Sequence, residues 1–177
     1  MVKNSYVRQV HVTANVDKTG KFILLKRVLI VCVGNICRSP TAENLLRGAL
    51  AHSDIHVSSA GLAALVGKPI EPTARAVLEA HGHSPDEHQA IQLEPQAISE
   101  ADLILVMERQ HVSGVLNLAP EARGKVLMLG KWQGEREIGD AHTGKANPLF
   151  SRLCVDRRSR KRMGTAPSTL TPLLFES

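Results

Sequence analysis

Five consecutive residues, Val28 to Cys32 (VLIVC), are apolar without interruption, and three of them are β-branched. A strand of that composition has no solvent face, so it belongs inside a parallel sheet covered by helices on both sides. The rest of the chain supplies such a sheet. His56 to Ala60, the segment ADLILVM (101–107) and KVLML (125–129) read as further strands. Helical patterns over Pro40 to His52, Pro72 to His81 and Glu108 to Leu118 separate them. Alternation of this kind predicts an α/β fold: a doubly wound, four-stranded parallel sheet with helices on both faces.

The organised part spans residues 22–150. Residues 1–21 read as an N-terminal extension without sustained period, merging into a strand only near FILLKRVLIV. Residues 151–177 combine clustered arginines with Ser, Thr and Pro and show no helical stripe, so this tail is not expected to pack as a closing helix. With 177 residues the chain can bury a core without disulfides or metal. Three cysteines is an odd number, and none falls in a paired C-x2-C spacing, which argues against a disulfide scaffold or a structural zinc site. Cys154, in the tail, reads as an incidental thiol. No apolar run approaches the roughly 20 residues of a membrane span, so a cytoplasmic protein with reduced thiols is expected, with no membrane insertion. The formal charge of +5 sits at the two ends. Residues 28–150 hold ten Lys/Arg against fourteen acids, a net −4, and the basic tail lacks aromatic stacking partners, so no nucleic-acid partner is expected.

Cys32 falls where the first core strand ends, and open parallel sheets bind ligands at the carboxyl ends of their strands. The following residues, VGNICRSP, predict an anion-binding loop. Gly34 permits unusual backbone angles, Asn35 tolerates the left-handed region, and Ser39-Pro40 reads as an N-cap with proline at the first helical position. Amides of Val33, Gly34, Asn35, Ile36 and Cys37 can then converge on an anion at a helix N-terminus. The loop lacks G-K-[ST], so a single phosphoryl group suits it better than a nucleotide. Arg38 offers a planar fork to two phosphate oxygens.

The same donors suit a sulfur nucleophile. Bringing a thiol's pKa from about 8.5 to about 5 takes about 5 kcal/mol of preferential thiolate stabilisation. A helix dipole supplies at most about 2 kcal/mol. Amides, guanidinium and the Ser39 hydroxyl must therefore combine, and the same set would stabilise a transferring phosphoryl group. The plain alternative is a buried strand-end cysteine beside an arginine at a helix start. Cys37 has two readings, a space-filler behind the loop or a partner that traps oxidised Cys32 as a disulfide.

VCVGNICRSPTAE resembles the signature of the low-molecular-weight protein-tyrosine phosphatases. The likeness continues through VSSAGLAALVGKPIEPTA, LEAHG, ADLILVMERQH and KVLMLGKW, covering about residues 27–140. This resemblance implies hydrolysis of phosphotyrosine through a phosphocysteine, without metal or cofactor. Cys32 would be the nucleophile, Arg38 the phosphate clamp, and the backbone of Val33, Gly34, Asn35, Ile36 and Cys37 the anion hole. Ser39 would bond the thiolate. His81 would support Asn35, or else be an ordinary helix-end histidine.

The family's general acid is an aspartate in D-P-[YF], and tyrosine leaving as phenolate needs such a proton. Asp140 matches it. Ala141 and His142 replace the proline and the aromatic, and the likeness then ends in a shift of composition like that of an altered reading frame. Asp140 otherwise reads as a turn acid. GLAALVGK would wall the site, and its lack of aromatics resembles the bacterial exopolysaccharide or capsule branch. The expected partner is then a phosphotyrosine protein, such as the cytoplasmic tail of a membrane-bound tyrosine autokinase. Trp132 reads as a packing residue. Two rival activities are arsenate reduction, which needs a resolving cysteine that residues 70–100 lack, and phosphotyrosine binding with impaired turnover.

Overall fold

The computed structural model describes residues 15–16, 22–23, 25–80, 82–85 and 87–140. His81, Ala141, His142, Cys154 and the tail 151–177 lie outside the described residues, and so do the expectations placed on them. Two short strands, β1 (Asn15–Val16) and β2 (Phe22–Ile23), pair antiparallel with each other, apart from the main sheet.

The main sheet has four strands in the order β4-β3-β5-β6, all parallel: β3 (Arg27–Cys32), β4 (His56–Gly61), β5 (Leu103–Val106) and β6 (Val126–Met128). The uninterrupted apolar run works as expected. Alternate residues of β3 feed two cores on opposite faces. Leu29 and Val31 pack with Ile98, Ile104, Val106 and Val115 beneath α3 (Pro95–Glu100) and α4 (Arg109–Leu118). Val28, Ile30 and Cys32 pack with Val57, Leu105, Met107 and Ala42 of α1 (Arg38–Ala49). Ile30, Val31, Ile104 and Val106 are wholly buried, each side chain contributing about 1.5–3 kcal/mol. Trp132 packs against the second core, as expected.

Sequence periodicity misses α3, whose six residues are too short to display a stripe; Pro95, preset for a first helical turn, is its local signal. α2 (Pro72–Ala80) packs through Ala74 and Leu78 against Ile70, with Leu45 and Cys37 alongside.

The start of α1 corrects the expectation that Ser39 caps it. The N-cap is Cys37, without a side-chain cap bond, so Arg38, Ser39 and Pro40 form the first turn. Amides of a first turn have no intrahelical partner, and a proline in the third position loses nothing there. The Ser39 hydroxyl is thereby released for another use. Strand β3 leads through α1 to β4 on one side, and the chain returns through α3 to β5 on the other. The loop 33–37 occupies the switch point between them, where such sheets open a crevice.

Candidate active site

Every carbonyl from Cys32 to Cys37 is bonded away from the crevice. Cys32, Val33 and Gly34 accept from the amides of Leu62, Ala63 and Leu65 at 2.9, 3.0 and 3.0 Å. Asn35 accepts from His88 Nε2 at 2.7 Å, and Ile36 from the Glu71 amide at 2.7 Å. Cys37 accepts from the Thr41 amide at 3.1 Å and from Thr41 Oγ1 at 2.7 Å. The described residues contain no cis peptide. In a trans unit the following amide points opposite its carbonyl, so the amides of residues 33 to 38 are turned the other way. One of them, Asn35 N–H, donates to Cys32 Sγ at 3.3 Å.

Asn35 holds this shape. Its φ of 53° is left-handed, as expected for asparagine. Gly34, expected to supply unusual angles, lies outside that region, and a Cβ there would meet Ile36 and Leu65 only at ordinary contact. The Asn35 side chain is fully buried and fully bonded. Its Oδ1 accepts from the Ile91 amide at 2.8 Å, while Nδ2 donates to Ser39 Oγ and Ser59 Oγ, each at 2.9 Å. Because Ile91 can only donate, the amide orientation is fixed.

Directions propagate from there. Ser59 Oγ donates to Glu43 Oε2 at 2.5 Å. Ser39 Oγ accepts from Asn35 and so has its own proton for Cys32 Sγ, 2.9 Å away. Two donors therefore converge on a buried sulfur.

Arg38 is buried at the loop's end. Nη1 donates to Glu108 Oε1 and to the Ile138 carbonyl at 3.2 Å, and Nη2 donates to Asp140 Oδ2 at 3.1 Å. Asp140 thus lies beside Arg38 at the end of the loop. Cys32, the five residues Val33 to Cys37, Arg38, Ala63, Leu65 and Asp140 line one cavity of about 280 Å³. Val33 and Leu65 are exposed at its rim, and of the 61–68 segment Ala63 and Leu65 line it.

Cys37 points to the other side, against Ile70, Ala74 and Leu78. Burial, then the charges of Glu71, Asp140 and Cys32, push its thiol up to about 11. That packing is what the space-filling reading expects; the disulfide reading is untouched by it. Among the described residues no group of three or more His, Cys, Asp or Glu could hold a metal ion.

Several site residues escape sequence reasoning. Glu108, Ser59 and His88 reach the loop from 24 to 70 residues away in sequence, and Glu43 joins them through Ser59. His88, which the sequence did not single out, bonds the Asn35 carbonyl. Gly61 is needed because a Cβ there would overlap the Val33 carbonyl oxygen and press on Asn35 Cβ at 3.0 Å. Its place at the end of a strand beside the loop is the one signal the sequence holds.

Known proteins resemble this chain in sequence and fold. The profile of the family described as low molecular weight phosphotyrosine protein phosphatase matches residues 27–155. The chain is 48% identical over 143 residues to the low molecular weight protein-tyrosine-phosphatase Wzb of Salmonella typhimurium, covering 81% of this chain and 95% of that protein. The crystal structure of Erwinia amylovora tyrosine phosphatase AmsI superposes with a TM-score of 0.67 at 40% identity, over 74% of this chain and 85% of the other. Vibrio vulnificus Wzb in complex with benzylphosphonate gives 0.67 at 37% identity, over 77% and 96%.

Proposed function

The chain belongs to the low molecular weight phosphotyrosine protein phosphatase family, and from that premise we propose that it hydrolyses phosphotyrosine proteins through a phosphocysteine on Cys32. One observation carries the reading: outward carbonyls from Cys32 to Cys37 turn the following amides inward around a sulfur that already receives two hydrogen bonds.

Cys32 Sγ attacks phosphorus as the bond to the tyrosine oxygen breaks, and Asp140 gives its proton to that oxygen. The inward amides and Arg38 stabilise the equatorial oxygens. Arg38 Nη2, which donates to Asp140 Oδ2, is the donor a phosphoryl oxygen would take. That exchange releases Asp140 to carry a proton. In the second step Asp140 accepts a proton from water, the water oxygen bonds to phosphorus, and the P–S bond breaks to restore the thiolate. Ile36, Ala63, Leu65 and Val33 give the cavity apolar walls suited to a phenyl ring.

The position of Asp140 beside Arg38 favours turnover over binding alone. The raised Cys37 thiol disfavours reductant-coupled arsenate chemistry, which needs a ready resolving thiolate. The relation to Wzb and AmsI, with no aromatic side chain between Gly61 and Lys68, supports a bacterial exopolysaccharide-associated role. The cytoplasmic tail of a membrane-bound tyrosine autokinase is then the natural substrate, and a reducing cytoplasm suits a free thiol nucleophile. The decisive experiment replaces Cys32 with serine. Hydrolysis of p-nitrophenyl phosphate should vanish while inorganic phosphate still binds; undiminished turnover would overturn the assignment.

A further inference from the structure

His111 lies in the first turn of α4, three residues beyond Glu108, and its backbone amide bonds the Glu108 carbonyl at 3.0 Å. The two side chains meet at the start of the helix. The imidazole is 2% exposed, and neither ring nitrogen has a hydrogen-bond partner among the described residues. Its nearest ionised neighbour is Glu108, with Nε2 3.7 Å from Oε1. The same Oε1 accepts from Arg38 Nη1.

A neutral imidazole always has one N–H, and a buried donor without an acceptor is strongly disfavoured. Oε1 is the acceptor that Nε2 faces, and less than an ångström of movement completes a charge-assisted bond. Glu108 leaves its own helix end uncapped, so its carboxylate is committed to its neighbours: Arg38 at Oε1 and Gln110 at Oε2.

We propose that His111 is a positioning residue for the phosphate clamp: with its proton on Nε2 it holds the Glu108 carboxylate on which Arg38 is docked. The proposal rests on the phosphatase reading of the Cys32 loop. When Arg38 turns donors toward a phosphoryl group, His111 keeps Glu108 oriented and partnered. Burial, reinforced by Arg38, lowers the His111 pKa below 6.5 against the opposing pull of Glu108, Glu137 and Asp140. The ring is therefore neutral at pH 7. A second proton would set a cation against Arg38 and make the two compete for Oε1. The charged groups that face this ring are Glu108 at the N-cap of α4, Arg38 on α1, and Glu137 and Asp140 on the segment after β6.

The test combines kinetics and spectroscopy on the full chain. With p-nitrophenyl phosphate as substrate and inorganic phosphate as inhibitor, His111→Leu should raise KM and phosphate Ki about tenfold at pH 7, the scale of one lost bond to a charged acceptor. kcat should change less. His111→Gln, whose amide N–H has similar reach, should restore values near those of the parent. Both variants should lose the component of the acid limb that His111 contributes. Imidazole 15N–1H correlation of the unsubstituted protein should place the proton on Nε2, a measurement that does not depend on the leucine variant folding. A proton on Nδ1, or a folded His111→Leu with unchanged KM and Ki, would overturn the proposal. Failure of the parent to hydrolyse the substrate would instead sink the phosphatase reading, and the tautomer would still decide where His111 points.

Discussion

Arg38 and Asp140 are directly paired, Nη2 to Oδ2 at 3.1 Å, although 102 residues separate them in the chain. The phosphate clamp and the proposed acid therefore share one hydrogen bond. Asp140→Asn keeps the shape and removes the transferable proton. Turnover of a phosphotyrosine peptide should fall by about 10²–10⁴-fold, the usual worth of a positioned acid. p-Nitrophenyl phosphate, whose leaving group needs no proton, should lose far less. Equal losses on both substrates would assign Asp140 to holding Arg38 instead.

Gly61 touches the catalytic loop with no side chain at all. A Cβ there would overlap the Val33 carbonyl oxygen, so the loop must shift to admit alanine. Gly61→Ala should lower stability by about 1–3 kcal/mol, as overpacking does, and weaken phosphate inhibition as well. Gly124→Ala, where an added Cβ meets nothing within 4 Å, is the control in the same urea titrations.

Ser59 Oγ accepts from Asn35 Nδ2 and donates to Glu43 Oε2. Ser59→Ala strands one buried Asn35 N–H and one part-buried Glu43 oxygen. Unfolding free energy should drop by about 1–3 kcal/mol. Phosphate affinity should fall with it, because the same amide steadies Ser39 beneath the sulfur.

The two loop cysteines should differ in reactivity. Iodoacetamide near pH 7 should label Cys32, and added phosphate should protect it; Cys37, its thiol pushed up to about 11, should remain unlabelled until the chain unfolds. The same shift sets a sign for stability. Below pH 9 Cys37 is protonated folded or unfolded and contributes no pH dependence. Between 9.0 and about 11 only the unfolded chain has released the proton, so stability declines with rising pH. Cys37→Ala should flatten that limb, as read by urea midpoints from pH 8 to 11.

What the sequence discloses is local. An apolar run names a buried strand, asparagine names the left-handed turn, and the match of Cys32 and Arg38 to a known signature names the loop. Asp140 is found through the same match, directly before Ala141 replaces the family's proline. The residues that stay hidden arrive from elsewhere in the fold. Glu108 meets Arg38 because β5 lies next to β3, and His88 meets Asn35 through a segment with no regular structure. No spacing rule encodes either meeting. The misplaced cap has a different cause: serine before proline is a genuine start signal, but here the hydroxyl is drawn to Cys32 and the helix opens two residues earlier.

The mooring of the loop's carbonyls to residues 41, 62–65, 71 and 88 makes the anion hole a late product of folding. No excised fragment and no partly opened form can offer it, because releasing any one of those stretches lets a peptide unit swing round. Phosphate should then act as a ligand of the native state alone, raising the melting temperature as its concentration grows. Enzymatic inactivation in urea should trace the same curve as the loss of the sheet.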